Sequence, residues 1–199
     1  MNSKEYLGDL IGGSLFKTES RIVAESLLEN LSDNEWKSMI IEKNILQKKS
    51  GKTAIRYART IRLRIEGLGK KFLSELIVAD ERSYIQLLMM ALLIQSPIVA
   101  DFIRLALAEA RRTYMPNLAA DAWIEFYNER VRVCDALGTL SDSSIKKMGN
   151  NVIKALVDCG YLSDSRTKKL QSVYLMPDVR DWLVRLDRED LINVMDCIA

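Results

Sequence analysis

The sequence predicts a mainly α-helical protein made of two small modules, and three observations predict it. Apolar residues recur at helical spacing along most of the chain. Only nine Gly and three Pro occur among the 199 residues, which leaves little room for long irregular linkers. Helix start signals precede several apolar segments. We expect the modules to span residues 1–116 and 117–199, because Met115-Pro116-Asn117 breaks the helical pattern.

The first module is predicted to be a bundle of helices. In order, these begin near Thr18, Ser32, Gly51 or Lys52, Phe72, Tyr84 and Ser96, and the last ends near Tyr114. Ser32 and Glu35 form a capping box, whereas Thr18 and Ser96 are expected to cap by their own hydroxyls. Pro97 fits the first position of its helix. The helix from Tyr84 is apolar nearly all round, which predicts a central position.

The second module is predicted to resemble a winged helix-turn-helix. One helix carries Trp123 and ends at Gly138, and a second runs from about Ser143 to Cys159. The following segment, residues 164–176, combines turn residues with β-branched and aromatic residues and predicts a short β-hairpin. Helices from Pro177 and from about Arg188 complete the chain. Helix, turn, helix and basic hairpin is the order found in winged helix-turn-helix modules.

The stretch from Lys43 to Lys71 differs in charge from the rest of the chain. It holds ten Lys or Arg residues and a single acid, Glu66, so its net charge is +9. The whole chain has a net charge of +2, which leaves −7 for everything outside this stretch. Such asymmetry indicates a polyanionic partner.

On a helix, the apolar and the basic residues of this stretch occupy opposite sides. The apolar side holds Tyr57, Ala58, Ile61, Ile65 and Leu68. The basic side holds Lys52, Arg56, Arg59 and Arg62, with Arg64 at the boundary and Lys48 and Lys49 just before the helix. A charged stripe is usually only the solvated face of a helix, but few acids are available here for i,i+4 pairs. Because guanidinium groups donate paired hydrogen bonds to phosphate oxygens, we predict that these cations bind phosphate.

The predicted helix 143–159 has a polar face that suits a DNA groove. Its candidate DNA-binding residues are Lys147, Asn150, Asn151 and Lys154, joined by Lys168 and Lys169 at the tip of the predicted hairpin. Asn can pair with an adenine edge, and Lys can reach guanine or phosphate. Asn and Lys are also common on any exposed helix, so a purely solvated face remains an open interpretation.

Several function classes are disfavoured. The chain has no histidine, the commonest general base and metal ligand. Gly51-Lys52-Thr53 imitates the end of a phosphate-binding P-loop, but Leu46 stands where that loop needs glycine. The acids near residue 189 suit the start of a helix better than a metal site. We therefore expect no enzymatic activity, no cofactor and no bound metal.

The cysteines and the hydropathy pattern indicate a cytoplasmic protein. The chain has three widely spaced cysteines without CxxC spacing, which is typical of reduced thiols. The least polar region, residues 83–100, is interrupted by Ser96-Pro97. A membrane-spanning helix needs about 20 mostly apolar residues, so we expect no membrane association.

Several segments resemble the BrxA family of bacteriophage-exclusion (BREX) defence systems. They are Gly12-Gly13-Ser14-Leu15, residues 19–24, Leu31-Ser32 with Glu35-Trp36, residues 44–48, Ala54, Arg59 and the pair Arg62 and Arg64. Weaker similarity lies at residues 156–162 and at Tyr174-Leu175 with Pro177. The resemblance covers most of the chain and is densest before residue 65. It implies a small helical accessory protein that binds double-stranded DNA beside a methyltransferase and other BREX proteins.

Charge and resemblance together predict a non-enzymatic module that binds double-stranded DNA mainly through phosphate contacts. The alternative is an adaptor whose basic helix docks on an acidic protein of the defence complex. RNA binding is a weaker alternative, since the sequence lacks an aromatic-rich sheet motif for stacking bases.

Overall fold

The structure, a computed structural model, describes residues 2–197 apart from the side chains of residues 135 and 136, and it is mainly helical. Its α-helices are α1 (Ser3–Leu7), α2 (Lys17–Leu28), α3 (Asp33–Ile41), α4 (Gly51–Ile65), α5 (Lys70–Val78), α6 (Glu81–Gln95), α7 (Pro97–Phe102), α8 (Ala108–Arg112), α9 (Ala122–Val133), α10 (Asp142–Asp158), α11 (Pro177–Arg185) and α12 (Ile192–Met195). Short 3-10 turns lie at Leu10–Gly12, Glu66–Leu68, Asp135–Thr139 and Glu189–Leu191, and a π-helical turn at Ile103–Leu107 joins α7 to α8. The prediction of a mainly α-helical fold is confirmed.

Local capping chemistry sets the starts of α3, α4 and α10. The Ser32 hydroxyl accepts a hydrogen bond from the Glu35 amide, and the Glu35 carboxylate accepts one from the Ser32 amide, which confirms the predicted capping box. Ser50 caps α4 and Ser141 caps α10 through their hydroxyls. Such caps satisfy amides that have no acceptor inside the helix.

Two predicted caps are wrong. The helix expected to start at Thr18 starts at Lys17, and its N-cap is Phe16, a left-handed residue with φ 54° whose side chain accepts no bond. The partly buried Phe16 ring instead packs against Tyr57 at 4.6 Å between centroids. Ser96 does stand before Pro97, but its hydroxyl donates to the Gln95 side chain and does not cap α7.

The predicted β-hairpin is also wrong, since residues 2–197 contain no strand. The segment makes two isolated antiparallel bridges, Asn117 with Lys169 and Leu162 with Leu170. Beyond Gln171 the chain turns away to α6, where the Gln86 amide donates to the Tyr174 carbonyl (2.9 Å) and accepts from the Met176 amide (2.8 Å). These bonds use backbone groups that a second strand would need. Helices α9 and α10 follow each other in the chain, with the 3-10 turn Asp135–Thr139 between them, but the predicted winged helix-turn-helix is not confirmed.

The core is built around α6. Ten of its fifteen residues are buried, as its apolar sequence predicts. Buried side chains from residues 10–108 and from residues 118–197 form one hydrophobic cluster. The boundary at residue 116 stays a prediction.

In the part of the chain that the structure describes, no single helix is long and apolar enough to cross a membrane. The helix pair Glu81–Gln95 and Pro97–Arg112 would meet the length and composition together, but it is bent by 108°. Cys134, Cys159 and Cys197 are free thiols.

Candidate nucleic-acid interface

Helix α4 buries its apolar side and exposes part of its basic side. Ala58, Ile61 and Ile65 are buried. Of the cations in and just before α4 that were predicted to bind phosphate, Lys49, Lys52, Arg56 and Arg59 are exposed. Among residues 2–197 none of these four has a carboxylate within salt-bridge distance. Their charges are therefore available to a partner.

Two other predicted cations are already paired. The Arg62 guanidinium contacts the carboxylates of Asp33 and Glu66, both at 2.8 Å, and lies 4.8 Å from the Trp36 ring. The hydrogen bonds to Glu66 raise the pKa of Arg62. Lys48 forms a salt bridge with Glu19. These contacts offset part of the +9 charge of the stretch.

Arg64, which the helical pattern placed at the boundary of the basic side, is buried inside the protein. Its side chain is buried and donates to the carbonyls of Ser14, Gly13 (2.7 Å) and Asp9 (3.3 Å). Burial lowers the pKa of Arg64 to about 10, so the guanidinium is charged at neutral pH. The signal that could have located it is its position beside the apolar Ile61 and Ile65.

The backbone that Arg64 binds, residues 9–14, is termed the glycine loop, and it lies between α4 and α10. On the α4 side, the Thr60 hydroxyl donates to the Asp9 carboxylate at 2.5 Å. On the α10 side, the Asn151 amide donates to the Leu10 carbonyl at 2.8 Å. A Cβ at Gly12 would lie 2.5 Å from the Thr60 hydroxyl, so the close approach requires glycine. The loop thereby fixes α10 relative to α4.

Helices α4 and α10 border one groove, termed the interhelical groove, of about 460 Å³. Its charged lining residues are Lys17, Glu19, Lys48, Arg56, Lys147, Lys154 and Asp158, five cations against two acids. Gly12, Gly13, Ser14, Phe16, Thr18, Tyr57 and Asn151 complete the lining. The structure thus brings Lys48 and Arg56 together with Lys147, Asn151 and Lys154, five of the residues that the sequence predicted separately.

Both acids in the groove are paired. Asp158 lies 3.1 Å from the Lys17 ammonium, and Glu19 is held by Lys48. Within the described chain, the groove cations Arg56, Lys147 and Lys154 have no carboxylate partner. The Arg56 guanidinium lies 5.1 Å from the centre of the Tyr57 ring. The groove therefore presents three uncompensated positive charges from two helices.

A second depression of about 610 Å³ lies on the other side of α10 and is termed the outer depression. It is lined by Asn150, Lys154 and Lys168 among others. Asn150 is exposed, unlike Asn151, whose amide is bonded to the glycine loop. The Lys168 ammonium donates to the Ala120 carbonyl at 2.7 Å, whereas Lys169 is exposed. Lys154 and Asp158 line both depressions, so the two lie next to each other along α10.

Fold and surface together define a small, mainly helical protein with a basic groove between two helices. The chain belongs to the BrxA family: the model of that family, described as BrxA, matches residues 4–187.

Similar proteins cover nearly all of the chain. A protein of Escherichia coli O9:H4 (strain HS) named "BREX protein BrxA" is 43% identical over 195 residues, which are 98% of this chain and 92% of that protein. A protein of the same name from Paramagnetospirillum magneticum (strain ATCC 700264 / AMB-1) is 33% identical over 184 residues, 92% of each chain. The crystal structure of an uncharacterized protein from Magnetospirillum magneticum superposes with a TM-score of 0.88 at 27% identity. It covers 97% of this chain and 99% of that one.

Proposed function

We propose that this protein is a non-enzymatic accessory protein of a BREX-type phage defence system that binds double-stranded DNA in the cytoplasm. Membership of the BrxA family and two relatives named as BREX proteins support the assignment to the defence system. We propose other BREX proteins as partners for the same reason. DNA binding is supported by the basic surface.

The observation that carries DNA binding is the set of uncompensated cations in the interhelical groove. Arg56 of α4 and Lys147 and Lys154 of α10 border one groove without carboxylate partners in the described chain. Lys49, Lys52 and Arg59 extend the positive surface along α4. A DNA backbone carries one negative charge per about 1.7 Å of duplex, so cations spread over two helices can contact several phosphates of one duplex.

The salt dependence of duplex binding is the first prediction. If the protein contacts about five or six phosphates, log K falls with log salt with a slope near −5, since each phosphate contributes roughly −0.9. A gel-shift titration on random duplex measures the slope, with single strands and RNA as competitors. A flat salt dependence, or no binding at low salt, contradicts phosphate-based binding.

Helix α10 is expected to contribute both charge and base contact. Replacing Lys147 or Lys154 with Ala removes one phosphate contact, so each variant should lower the affinity for all duplexes alike and reduce the slope of log K against log salt by about one unit.

Asn150 is uncharged and exposed, and a base contact contributes about 1–3 kcal/mol of discrimination. Asn150→Ala should therefore flatten any sequence preference while it leaves the slope unchanged. Selection from random duplexes with wild type and each variant measures both effects.

Asn151→Ala serves as the comparison variant for Asn150. The Asn151 amide binds the Leu10 carbonyl, so its loss should lower stability by about 1 kcal/mol, the net contribution of one hydrogen bond. If Asn151→Ala flattens preference and Asn150→Ala does not, the base contact lies on the groove side of α10. If neither changes a preference shown by wild type, α10 does not read sequence.

The second candidate function is a protein adaptor, and one exposed apolar residue favours it. Leu63 of α4 is 65% exposed and borders the same depression as Arg59 and Arg62. An acidic protein surface could cover the leucine together with the arginines, whereas a phosphate backbone would use only the arginines. Poor binding of purified duplex, combined with loss of a BREX partner on Leu63→Ser, would favour the adaptor.

A further inference from the structure

The N-terminus of α2 opens into the interhelical groove without a cap. Helix α2 has twelve residues, and its N-cap Phe16 contributes no side-chain hydrogen bond. The amides of Lys17, Thr18 and Glu19 lie in the first turn, where a helix supplies no acceptor of its own. All three residues line the groove. Free first-turn amides, together with the positive end of the helix dipole, favour an anion.

A second, independent feature in the same groove also points to a missing ligand. Ser14 lines the groove and is only 7% exposed, and its hydroxyl has no hydrogen-bond partner in the described structure. Buried polar side-chain atoms nearly always have a partner. Because the Ser14 carbonyl is bonded to Arg64, this residue is held in place while its hydroxyl stays unpaired.

The charges around the α2 N-terminus favour an anion as well. The two nearby acids, Glu19 and Asp158, are neutralised by Lys48 and Lys17. Arg56, Lys147 and Lys154 remain as an excess of three positive charges on the groove lining. A tetrahedral oxyanion with several acceptor oxygens matches donors that arrive from amides, a hydroxyl and cationic side chains together.

We propose that the α2 N-terminus and Ser14 form a binding site for a single phosphate group, which the cations of the groove enclose. The phosphate can belong to the backbone of bound DNA or to a free nucleotide, since both offer the same oxyanion. Only the DNA source rests on the proposed function. The site would place a phosphate between α4 and α10, at the glycine loop that holds the two helices together.

Two variants separate a binding role from a structural one. Ser14→Ala removes a hydroxyl that has no partner in the protein, so the unliganded protein should unfold at the same or a higher temperature. Thr18→Glu places a carboxylate at the exposed second position of α2, where an acid suits the helix dipole but competes with a bound anion. Thr18→Gln is the matched neutral control.

Titration calorimetry with inorganic phosphate and with a deoxynucleoside monophosphate, in chloride at constant ionic strength, tests the site. Ser14→Ala should weaken binding of both by roughly tenfold, the size of one lost hydrogen bond to a charged group. Thr18→Glu should remove measurable binding, and Thr18→Gln should bind like wild type. If wild type binds neither probe, or if Ser14→Ala and Thr18→Glu bind both like wild type, the proposal is overturned.

The same variants on a short duplex identify the source of the phosphate. Weaker duplex binding by Ser14→Ala and Thr18→Glu supports a backbone phosphate, whereas unchanged duplex binding with lost nucleotide binding supports a free nucleotide. A wild-type protein that binds phosphate but no duplex would refute the proposed function and leave this site intact.

Discussion

Replacing Arg56 and Arg59 together with Glu is expected to abolish binding to duplex DNA and to leave the fold unchanged. Both side chains are exposed, and within the described residues neither has a carboxylate partner that the fold would lose. The change removes two positive charges and adds two negative ones on one face of α4. Like charges brought together at an interface cost several kcal/mol, and about 1.4 kcal/mol is a factor of ten. We therefore expect affinity to fall by at least roughly 100-fold, measured by gel shift at low salt.

The matched control is the pair Lys70→Glu with Lys71→Glu. Both lysines belong to the same basic stretch, are exposed, and give the same change in net charge. Unlike the two arginines they have partners, since Lys70 donates to the Asn30 side chain and Lys71 lies 4.0 Å from the Glu75 carboxylate, so the melting temperature of the control is measured as well. They lie on α5 and are absent from the lining of the interhelical groove. If the control loses as much affinity as the α4 variant, binding depends on net charge alone. Loss of helical circular dichroism in the α4 variant would instead assign Arg56 and Arg59 a structural role.

Local patterns were sufficient to predict most of the helices and the two faces of α4. The apolar positions Ala58, Ile61 and Ile65 are buried as their spacing predicts, and the Ser32 capping box forms within four residues of chain. In both cases the sequence contains the partners within one or two helical turns. The physical information is therefore present in a short window.

Residues with distant partners could not be assigned from such windows. Arg64 binds carbonyls fifty or more residues earlier, and Asn151 binds a carbonyl 141 residues earlier. Helical spacing placed Arg64 at a boundary and Asn151 on an open face, because it does not reveal which backbone each one meets. The predicted hairpin failed for the same reason, since Gln86 of α6 takes the backbone bonds of residues 174 and 176.

The grouping of Arg56 with Lys147 and Lys154 likewise depends on tertiary structure. Each helix alone predicted phosphate or groove contacts, but their common groove exists because the glycine loop joins α4 to α10. The unexpected start of α2 at Lys17 has a related consequence. It removes the predicted Thr18 cap and leaves the first turn of α2, whose residues line that groove, without a side-chain cap.

Arg64→Met is expected to produce the largest loss of stability among the variants considered. Met keeps an unbranched apolar stem but removes the donors to the carbonyls of Gly13 and Ser14. Asp9 keeps the bond from the Gly12 amide. Each of these two groups, once left unpaired, costs about 1–3 kcal/mol, so we expect about 2–6 kcal/mol in total. For a chain of this length the melting temperature should fall by at least roughly 4 °C.

The matched control is Arg56→Met, the same substitution on the exposed face of the same helix. It should change the melting temperature by little and weaken DNA binding, whereas Arg64→Met should act first on stability. Because Arg64 holds the glycine loop against α4, and Asn151 holds it against α10, a loosened loop should also expose its amides. Hydrogen exchange of residues 9–14 in Arg64→Met should therefore be faster than in wild type at temperatures where both are folded. If Arg64→Met and wild type have equal melting temperatures and equal exchange rates, the buried guanidinium does not hold α4 and α10 together. Contacts other than those of Arg64 would then fix the width of the groove.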